Sequence, residues 1–150
     1  MQGKTHLTIG VAAGLATAVA AGADDWKVLA ASTALGGLAG LVPDWLQINI
    51  PGASKQLKGT FGHRGFSHWL WTALLAAYAA QQVWETAAWP VLAGWCSHIL
   101  LDALANGVPA FWPFGRLTLG HIKTGSKLDY LVGAVGLILL AAQIITTITR

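Results

Sequence analysis

Histidine and aspartate side chains cluster in a few short motifs of an otherwise apolar sequence. In "SHILLDAL", His98 and Asp102 are four residues apart, so both side chains lie on one face of a helix. The stretch "HRGFSH" adds His63, Arg64 and His68. An imidazole and a carboxylate at this spacing can share a metal ion, or the carboxylate can orient the imidazole as a hydrogen-bond partner. The spacing alone leaves both interpretations open.

Two further candidates stand at predicted helix ends. His6 follows Thr5, a predicted N-cap of the first helix, and Asp44 follows Pro43 at the end of the second. Ser67 is similarly a predicted N-cap of the third helix. Four histidines with two or three aspartates are enough for one or two metal ions. Mixed His and Asp ligation suits zinc, and also manganese or iron, in a hydrolytic site.

The rest of the chain indicates how these residues are positioned. The 150 residues are 55% hydrophobic and only 10% charged, against about 25% charged in typical soluble domains. The apolar residues form five long blocks, at 6–23, 27–42, 67–84, 87–105 and 128–148. We therefore predict an all-α fold, a polytopic membrane bundle of about five transmembrane helices that forms a single domain over residues 1–150.

The basic residues predict the orientation of this bundle. Five spans put the N-terminus and the two long connections, 43–66 and 106–127, on one face. Seven of the nine Lys and Arg residues lie there: Lys4, Lys55, Lys58, Arg64, Arg116, Lys123 and Lys127. The positive-inside rule makes that face cytoplasmic and leaves the C-terminus outside. The same threading brings all five histidines to the cytoplasmic face, whereas Asp24, Asp25 and Glu85 lie opposite.

Other features exclude some functions and suggest membrane contacts. The net charge of +3 is dispersed, with no basic run, and does not predict nucleic-acid binding. The lone Cys96 excludes an internal disulfide and is interpreted as a packing residue. The pairs Gly10/Gly14 and Gly36/Gly40 have the GxxxG spacing of closely packed helices.

The long connections carry aromatic and basic residues that suit a membrane surface. Phe111, Trp112 and Phe114 beside Arg116 resemble an interfacial aromatic belt. An anionic headgroup could be held by four basic residues, Lys55, Lys58, Arg64 and Arg116. Membrane lipid is therefore the expected partner, and simple anchoring is the alternative for each residue alone.

His121 and Asp129 are weaker site candidates. His121 lies in a loop, where it could simply be solvated. Asp129 follows "TGSK" and could serve as an acidic residue at a helix N-terminus, where the helix dipole favours it.

Several motifs together resemble a known family. "THLTIG", "PDW", "HRGFSH", "GWCSHILLDALANGVPAFWPF" and "TGSKLD" occur in this order from residue 5 to about 130. They resemble the YdjM-like inner-membrane metal-dependent hydrolases, which are distantly similar to zinc-dependent phospholipase C and P1 nuclease. The resemblance implies a bacterial inner-membrane protein and phosphoester hydrolysis. It also implies a metal site made of His6, Asp44, His63, His68, His98 and Asp102.

Two positions depart from the family pattern. The family often has "PDxD", whereas Leu46 stands at the second acidic position, and it often has Glu where this chain has Asp129. A site with one fewer acid would bind fewer metal ions or bind them more weakly.

The first functional hypothesis is a membrane-embedded metal-dependent hydrolase of a phospholipid or another amphiphilic phosphoester. His63 would be a ligand or a general acid/base, and Arg64 would stabilise the charge of the phosphate. The second is a non-enzymatic membrane protein whose polar or metal cluster is structural and serves a partner. A cation transporter would place polar groups near the bilayer midplane. In this chain the polar groups are expected at one end of the bundle, which argues against transport. The sequence leaves the oligomeric state open.

Overall fold

The computed structural model describes residues 1–46, 51–52, 54, 59–62 and 64–149. The predicted metal ligand His63 and the predicted headgroup contacts Lys55 and Lys58 lie outside this part of the chain. The described residues form five long helices, each overlapping one of the predicted apolar segments: α1 Gly3–Ala20, α2 Trp26–Ala39, α3 Leu70–Val83, α4 Ala88–Ala105 and α5 Lys127–Ile148. The short pieces between them include a helical turn Val42–Trp45 and two 3-10 turns, Phe66–His68 and Glu85–Ala87.

The all-helical class is confirmed, whereas the count of about five membrane spans is not. Within the described residues, three segments are long and apolar enough to cross a bilayer: Trp26–Trp45, Glu85–Ala105 and Lys127–Ile148. The 14 residues of α3 extend only about 21 Å, less than the roughly 30 Å of a hydrocarbon core. Helix α1 begins with Lys4 and His6, which lower its hydropathy. Spanning by these two helices stays a prediction.

Glycines let α1 and α2 touch backbone to backbone. A methyl group on Gly10 would lie 2.6 Å from the carbonyl oxygen of Gly36, and one on Gly40 would lie 2.8 Å from that of His6. Gly94 of α4 faces the same Gly36 carbonyl. The GxxxG pairs are therefore packing motifs within the chain, as predicted. This close approach holds the first turn of α1 level with the end of α2.

Two predicted helix caps are wrong. Helix α1 begins at Gly3 with Gln2 at its N-cap, so Thr5 lies inside the first turn. Helix α3 begins at Leu70 with Trp69 at its N-cap, and Ser67 lies in the preceding 3-10 turn. The Thr5 hydroxyl has a tertiary partner instead, Asp129, and the Ser67 hydroxyl lies 3.0 Å from the ring of the adjacent His68. These contacts replace the local hydrogen bond that a cap would make.

Apolar packing is concentrated between α3, α4 and the segment that follows α4. Ala73, Trp95, Ile99, Ala103 and Val108 form a buried cluster there. Helix α5, in contrast, packs along α1, and only 6% of its most apolar stretch is buried within the molecule. Such an apolar and exposed helix is suited to lipid contact.

Candidate metal centre

Four potential metal ligands converge at one end of the bundle. Asp44 comes from the turn after α2, His68 from the 3-10 turn before α3, and His98 and Asp102 from the last turns of α4. Each offers one ligand atom, and these four atoms all lie within 4.8 Å of one another. The helix spacing of His98 and Asp102 and the threading of the chain, both read from the sequence, are what bring them together.

His98 is oriented by the end of α2. Its Nδ1 lies 2.8 Å from the carbonyl oxygen of Gly40, the C-cap residue of that helix. A carbonyl can only accept, so Nδ1 carries the proton and Nε2 of the neutral ring keeps a lone pair. That lone pair faces the cluster, 3.6 Å from Asp44 Oδ1. A backbone carbonyl that fixes the tautomer is the usual arrangement behind a metal-binding histidine.

His68 is held by its own 3-10 turn and by α4. Ser67 Oγ lies 3.0 Å from His68 Nδ1, and the indole of Trp95 donates to the Ser67 carbonyl oxygen at 2.8 Å. The other ring nitrogen, Nε2, lies 3.0 Å from His98 Nε2 and 3.5 Å from Asp102 Oδ2. Both imidazoles therefore direct Nε2 into the same small volume.

Asp102 carries the negative charge at the centre of the cluster. Its Oδ1 lies 2.8 Å from the Met1 amino group and 3.3 Å from His6 Nε2, and its Oδ2 lies 3.0 Å from Arg64 Nε. Its side chain is almost completely buried. A buried carboxylate is tolerated only with such partners, so Asp102 holds several elements together whether or not a cation is bound.

His6 lies beside the four converging groups. Its ring stacks on that of His98, with centroids 3.9 Å apart, and is fully buried. Neither ring nitrogen of His6 has a hydrogen-bond partner among the described residues. Buried polar atoms nearly always have partners, so these nitrogens are consistent with a ligand at this place.

Access to the cluster runs past Asp44 and Arg64. The side chains of His6, His68 and His98 are 0% exposed, whereas that of Asp44 is 29% and that of Arg64 17% exposed. The backbone of Arg64 has a φ of 62°, in the left-handed region that residues other than glycine rarely adopt. This conformation turns the guanidinium inward to Asp102 at the open side of the site.

The remaining sequence candidates have different positions. His63 lies outside the described residues, so its predicted roles as ligand and as general acid/base stay predictions. His121 is exposed in a loop, and neither it nor Asp129 belongs to the converging group. Cys96 is half-buried and also lies outside that group.

Sequence reasoning missed three groups that support the site: the Gly40 carbonyl, the Ser67 hydroxyl and the Thr5 hydroxyl. Adjacency to His68 and His6 was a signal for the two hydroxyls. The sequence carries no signal for a backbone carbonyl.

Comparison with known proteins agrees with the membrane character and the motifs. The family described as YdjM inner membrane protein matches residues 1–149. The chain belongs to the YdjM inner membrane protein family. One relative, the uncharacterized protein YvsG of Bacillus subtilis (strain 168), is 34% identical over 144 residues. The match covers 88% of this chain and 87% of the relative. No solved structure matches.

Membership of the YdjM family confirms the family to which the motifs pointed and an inner-membrane location. The hydrolase activity that the resemblance implies stays a prediction. The similarity to phospholipase C and P1 nuclease finds no support in these comparisons. The number of spans and the cytoplasmic N-terminus stay predictions.

Proposed function

We propose that this YdjM-family protein is a membrane-embedded, metal-dependent hydrolase of a phospholipid or another amphiphilic phosphoester. The observation that carries the proposal is the convergence of Asp44, His68, His98 and Asp102, whose ligand atoms lie within 4.8 Å of one another. A guanidinium, that of Arg64, adjoins the same carboxylate. In phosphoester hydrolysis a bound metal activates water, and a neighbouring cation stabilises the charge of the phosphate.

The donor set fits a divalent transition metal. Two imidazoles and two carboxylates match the mixed nitrogen and oxygen ligation of zinc, and also of manganese or iron. The Gly40 carbonyl leaves the Nε2 of His98 free to coordinate. The buried His6 nitrogens make no hydrogen bond among the described residues, although Nε2 lies 3.3 Å from Asp102 Oδ1. A bound divalent ion would polarise a phosphoryl oxygen and activate water for attack.

The surrounding residues have separable roles in this proposal. Arg64 reaches the cluster from its partly exposed side and would bind the phosphate oxygens, for which a planar guanidinium is well suited. Asp44 lies at the same opening and would be the ligand nearest to an incoming substrate. His6, with no hydrogen bond of its own, would be an additional ligand or would exchange a proton with the substrate. His63 keeps the same two possible roles.

The distribution of tryptophans supports a lipid as the substrate. Trp26 and Trp45 mark the two ends of a 20-residue candidate span, which is about 30 Å long and matches a hydrocarbon core. Both are exposed, as are Trp71 and Trp112 at the end that carries the cluster. Indoles prefer the interface between headgroups and acyl chains, so this arrangement would put the cluster within reach of phospholipid headgroups.

Purified protein in lipid nanodiscs tests the proposal directly. We expect a bound divalent metal in elemental analysis and release of a water-soluble product from labelled phospholipid. His98→Ala removes a ligand and should reduce turnover by more than about 100-fold, since loss of an outer-shell partner alone costs 10–100-fold. His121→Ala is the matched control, because this histidine is exposed in a loop. A water-soluble phosphodiester, assayed in parallel, separates lipid from soluble substrates.

A structural cluster is the second candidate, because three of its histidines are completely buried. It predicts that chelation unfolds the protein while wild type hydrolyses neither class of phosphoester. Wild-type protein that binds no metal when purified and refilled with zinc, manganese or iron would refute the hydrolase proposal.

A further inference from the structure

A buried carboxylate joins the start of α5 to the start of α1. The Asp129 side chain is almost fully buried. Its Oδ1 accepts a hydrogen bond of 2.7 Å from the Thr5 hydroxyl, and its Oδ2 accepts from the backbone N–H groups of Gln2, at 3.1 Å, and Gly125, at 2.8 Å. One side chain thus connects α1, α5 and the loop between α4 and α5.

These bonds give Asp129 a role different from that of the cluster carboxylates. Both of its oxygens are engaged by donors from α1 and from its own loop. It is absent from the group of ligand atoms that converge among the described residues. Asp129 stands in the first turn of α5, and a carboxylate buried there needs hydrogen-bond donors to offset its lost hydration. The partner here is the first turn of α1.

His6 needs such external support. The other two buried histidines have anchors, the Gly40 carbonyl for His98 and the Ser67 hydroxyl for His68. His6 has no hydrogen bond among the described residues, only its stacking on His98 and its approach to Asp102. The position of its ring is therefore set by the placement of the α1 backbone, and Thr5 is the adjacent residue.

We propose that Asp129 is a positioning residue that, through Thr5 and the Gln2 amide, docks the first turn of α1 and holds His6 in the cluster. The inference rests on the proposed metal site only where it predicts that the docking of α1 affects metal affinity. The docking itself can be measured without metal.

Chemical modification of histidines tests the docking. Protein in nanodiscs with excess chelator is treated with diethyl pyrocarbonate, and each histidine is read by mass spectrometry. Asp129→Ala should raise the modification rate of His6 about tenfold, the effect of losing buried hydrogen bonds, while His98 stays protected. Equal protection of His6 in wild type and variant would overturn the proposal, and so would simultaneous exposure of His6 and His98.

Substitutions at Thr5 provide a second test if Asp129→Ala does not fold. Thr5→Val removes the hydroxyl at nearly constant volume and should expose His6, whereas Thr5→Ser keeps the hydroxyl and should restore protection. Thr8→Val is the matched control, because the Thr8 hydroxyl, among the described residues, donates to the Thr5 carbonyl oxygen within α1 and not to Asp129. If Thr5→Val leaves His6 as protected as Thr8→Val does, the hydroxyl has no positioning role and the proposal fails.

Cobalt(II) separates positioning from ligation. In the amide of Asp129→Asn, the oxygen can accept from both backbone N–H groups and the nitrogen can donate to Thr5, so a positioning role predicts nearly wild-type Co²⁺ affinity and visible spectrum. A ligand role predicts a large loss, which would overturn the proposal. Asp129→Ala should give the same Co²⁺ spectrum as His6→Ala. The variant with both substitutions should show no further change, and additive effects of the two substitutions on the spectrum would argue against coupling. A wild type that binds no Co²⁺ refutes the metal site, and His6 modification then decides the role of Asp129 alone.

Discussion

The two ends of the helix bundle differ in how they accommodate ionisable side chains. At one end, His6, His68, His98 and Asp102 are buried together between four elements of the chain. At the other end, the acids Asp24, Asp25 and Glu85 are exposed, and none of the described histidines lies there. A cleft of about 410 Å³ opens there between α1, α2, α3 and α4, lined by Thr17, Gln81 and Glu85 among others. One end is closed around charges, and the other leaves its charges in water.

The two ends therefore differ in the free-energy cost of burying polar groups. Burying a carboxylate and several imidazoles costs free energy unless each finds a partner, and the simple way to avoid this cost is seen at the opposite end. The protein instead uses backbone carbonyls, hydroxyls and a guanidinium to keep the polar cluster inside. Buried ionisable clusters of this kind mark candidate functional sites.

Removing the central carboxylate should have the largest effect. Asp102→Ala leaves the half-buried Arg64 and the buried His6 without their acidic partner, which should cost about 3–5 kcal/mol of stability and abolish metal binding. Asp25→Ala at the other end removes only the cap bond to the Lys27 amide and should cost about 1 kcal/mol. Denaturant unfolding in micelles measures both. Equal losses would show that the two ends do not differ energetically.

Metal removal should be the next effect in size. An ion at 100 times its dissociation constant stabilises the protein by about 2.7 kcal/mol, so chelation should lower the unfolding temperature of wild type. The same treatment should leave His98→Ala unchanged, because its site lacks a ligand. His121→Ala should respond like wild type. A chelator response that survives in His98→Ala would place the metal elsewhere in the chain.

The glycine contact between α1 and α2 should be intolerant of a methyl group. In Gly36→Ala the new Cβ would lie 2.5 Å from the Gly10 carbonyl oxygen, and overpacking of this kind costs about 1–3 kcal/mol. It should also weaken metal binding, because His6 and Gly40 lie along the same contact. Gly59→Ala, whose Cβ would meet no atom of the described residues within 4 Å, is the control. Stability and metal content that stay unchanged in Gly36→Ala would contradict the packing.

The stacked pair of Trp69 and Trp112 should contribute least to stability. Trp112 stacks on Trp69 with centroids 4.2 Å apart, and such a pair adds about 0.5–1.5 kcal/mol. Trp112→Ala should lower stability by that amount and reduce quenching of tryptophan fluorescence by lipids brominated near the headgroup. Trp26→Ala tests the indole at the other end. Quenching by lipids brominated only at the acyl-chain ends would place the cluster deeper than proposed.

The sequence predicted the helices better than their ends. Each of the five apolar blocks overlaps a long helix, as expected for apolar segments that satisfy their backbone hydrogen bonds internally. The first block was expected at 6–23, whereas α1 covers Gly3–Ala20. The error arose because Thr5 has the residue type of a cap, while its hydroxyl bonds to Asp129, which is 124 residues away. Local patterns cannot reveal a partner that distant.

The same limit applies to the site. Alternating helices predicted that His6, His68 and His98 would share one end, and the structure places them in contact. What fixes their rings could not be predicted, because the Gly40 carbonyl and the left-handed backbone of Arg64 are properties of the folded chain. The sequence therefore indicates which residues meet, and the geometry shows which of them could coordinate.

Trp95 differs from the tryptophans at the helix ends, since it is buried and its indole donates to the Ser67 carbonyl beside His68. The protein consequently contains its own optical reporter, whose emission depends on the segment that carries a candidate ligand. With the other tryptophans replaced by phenylalanine, titration with a paramagnetic cation would be read from inside the bundle, with no attached dye.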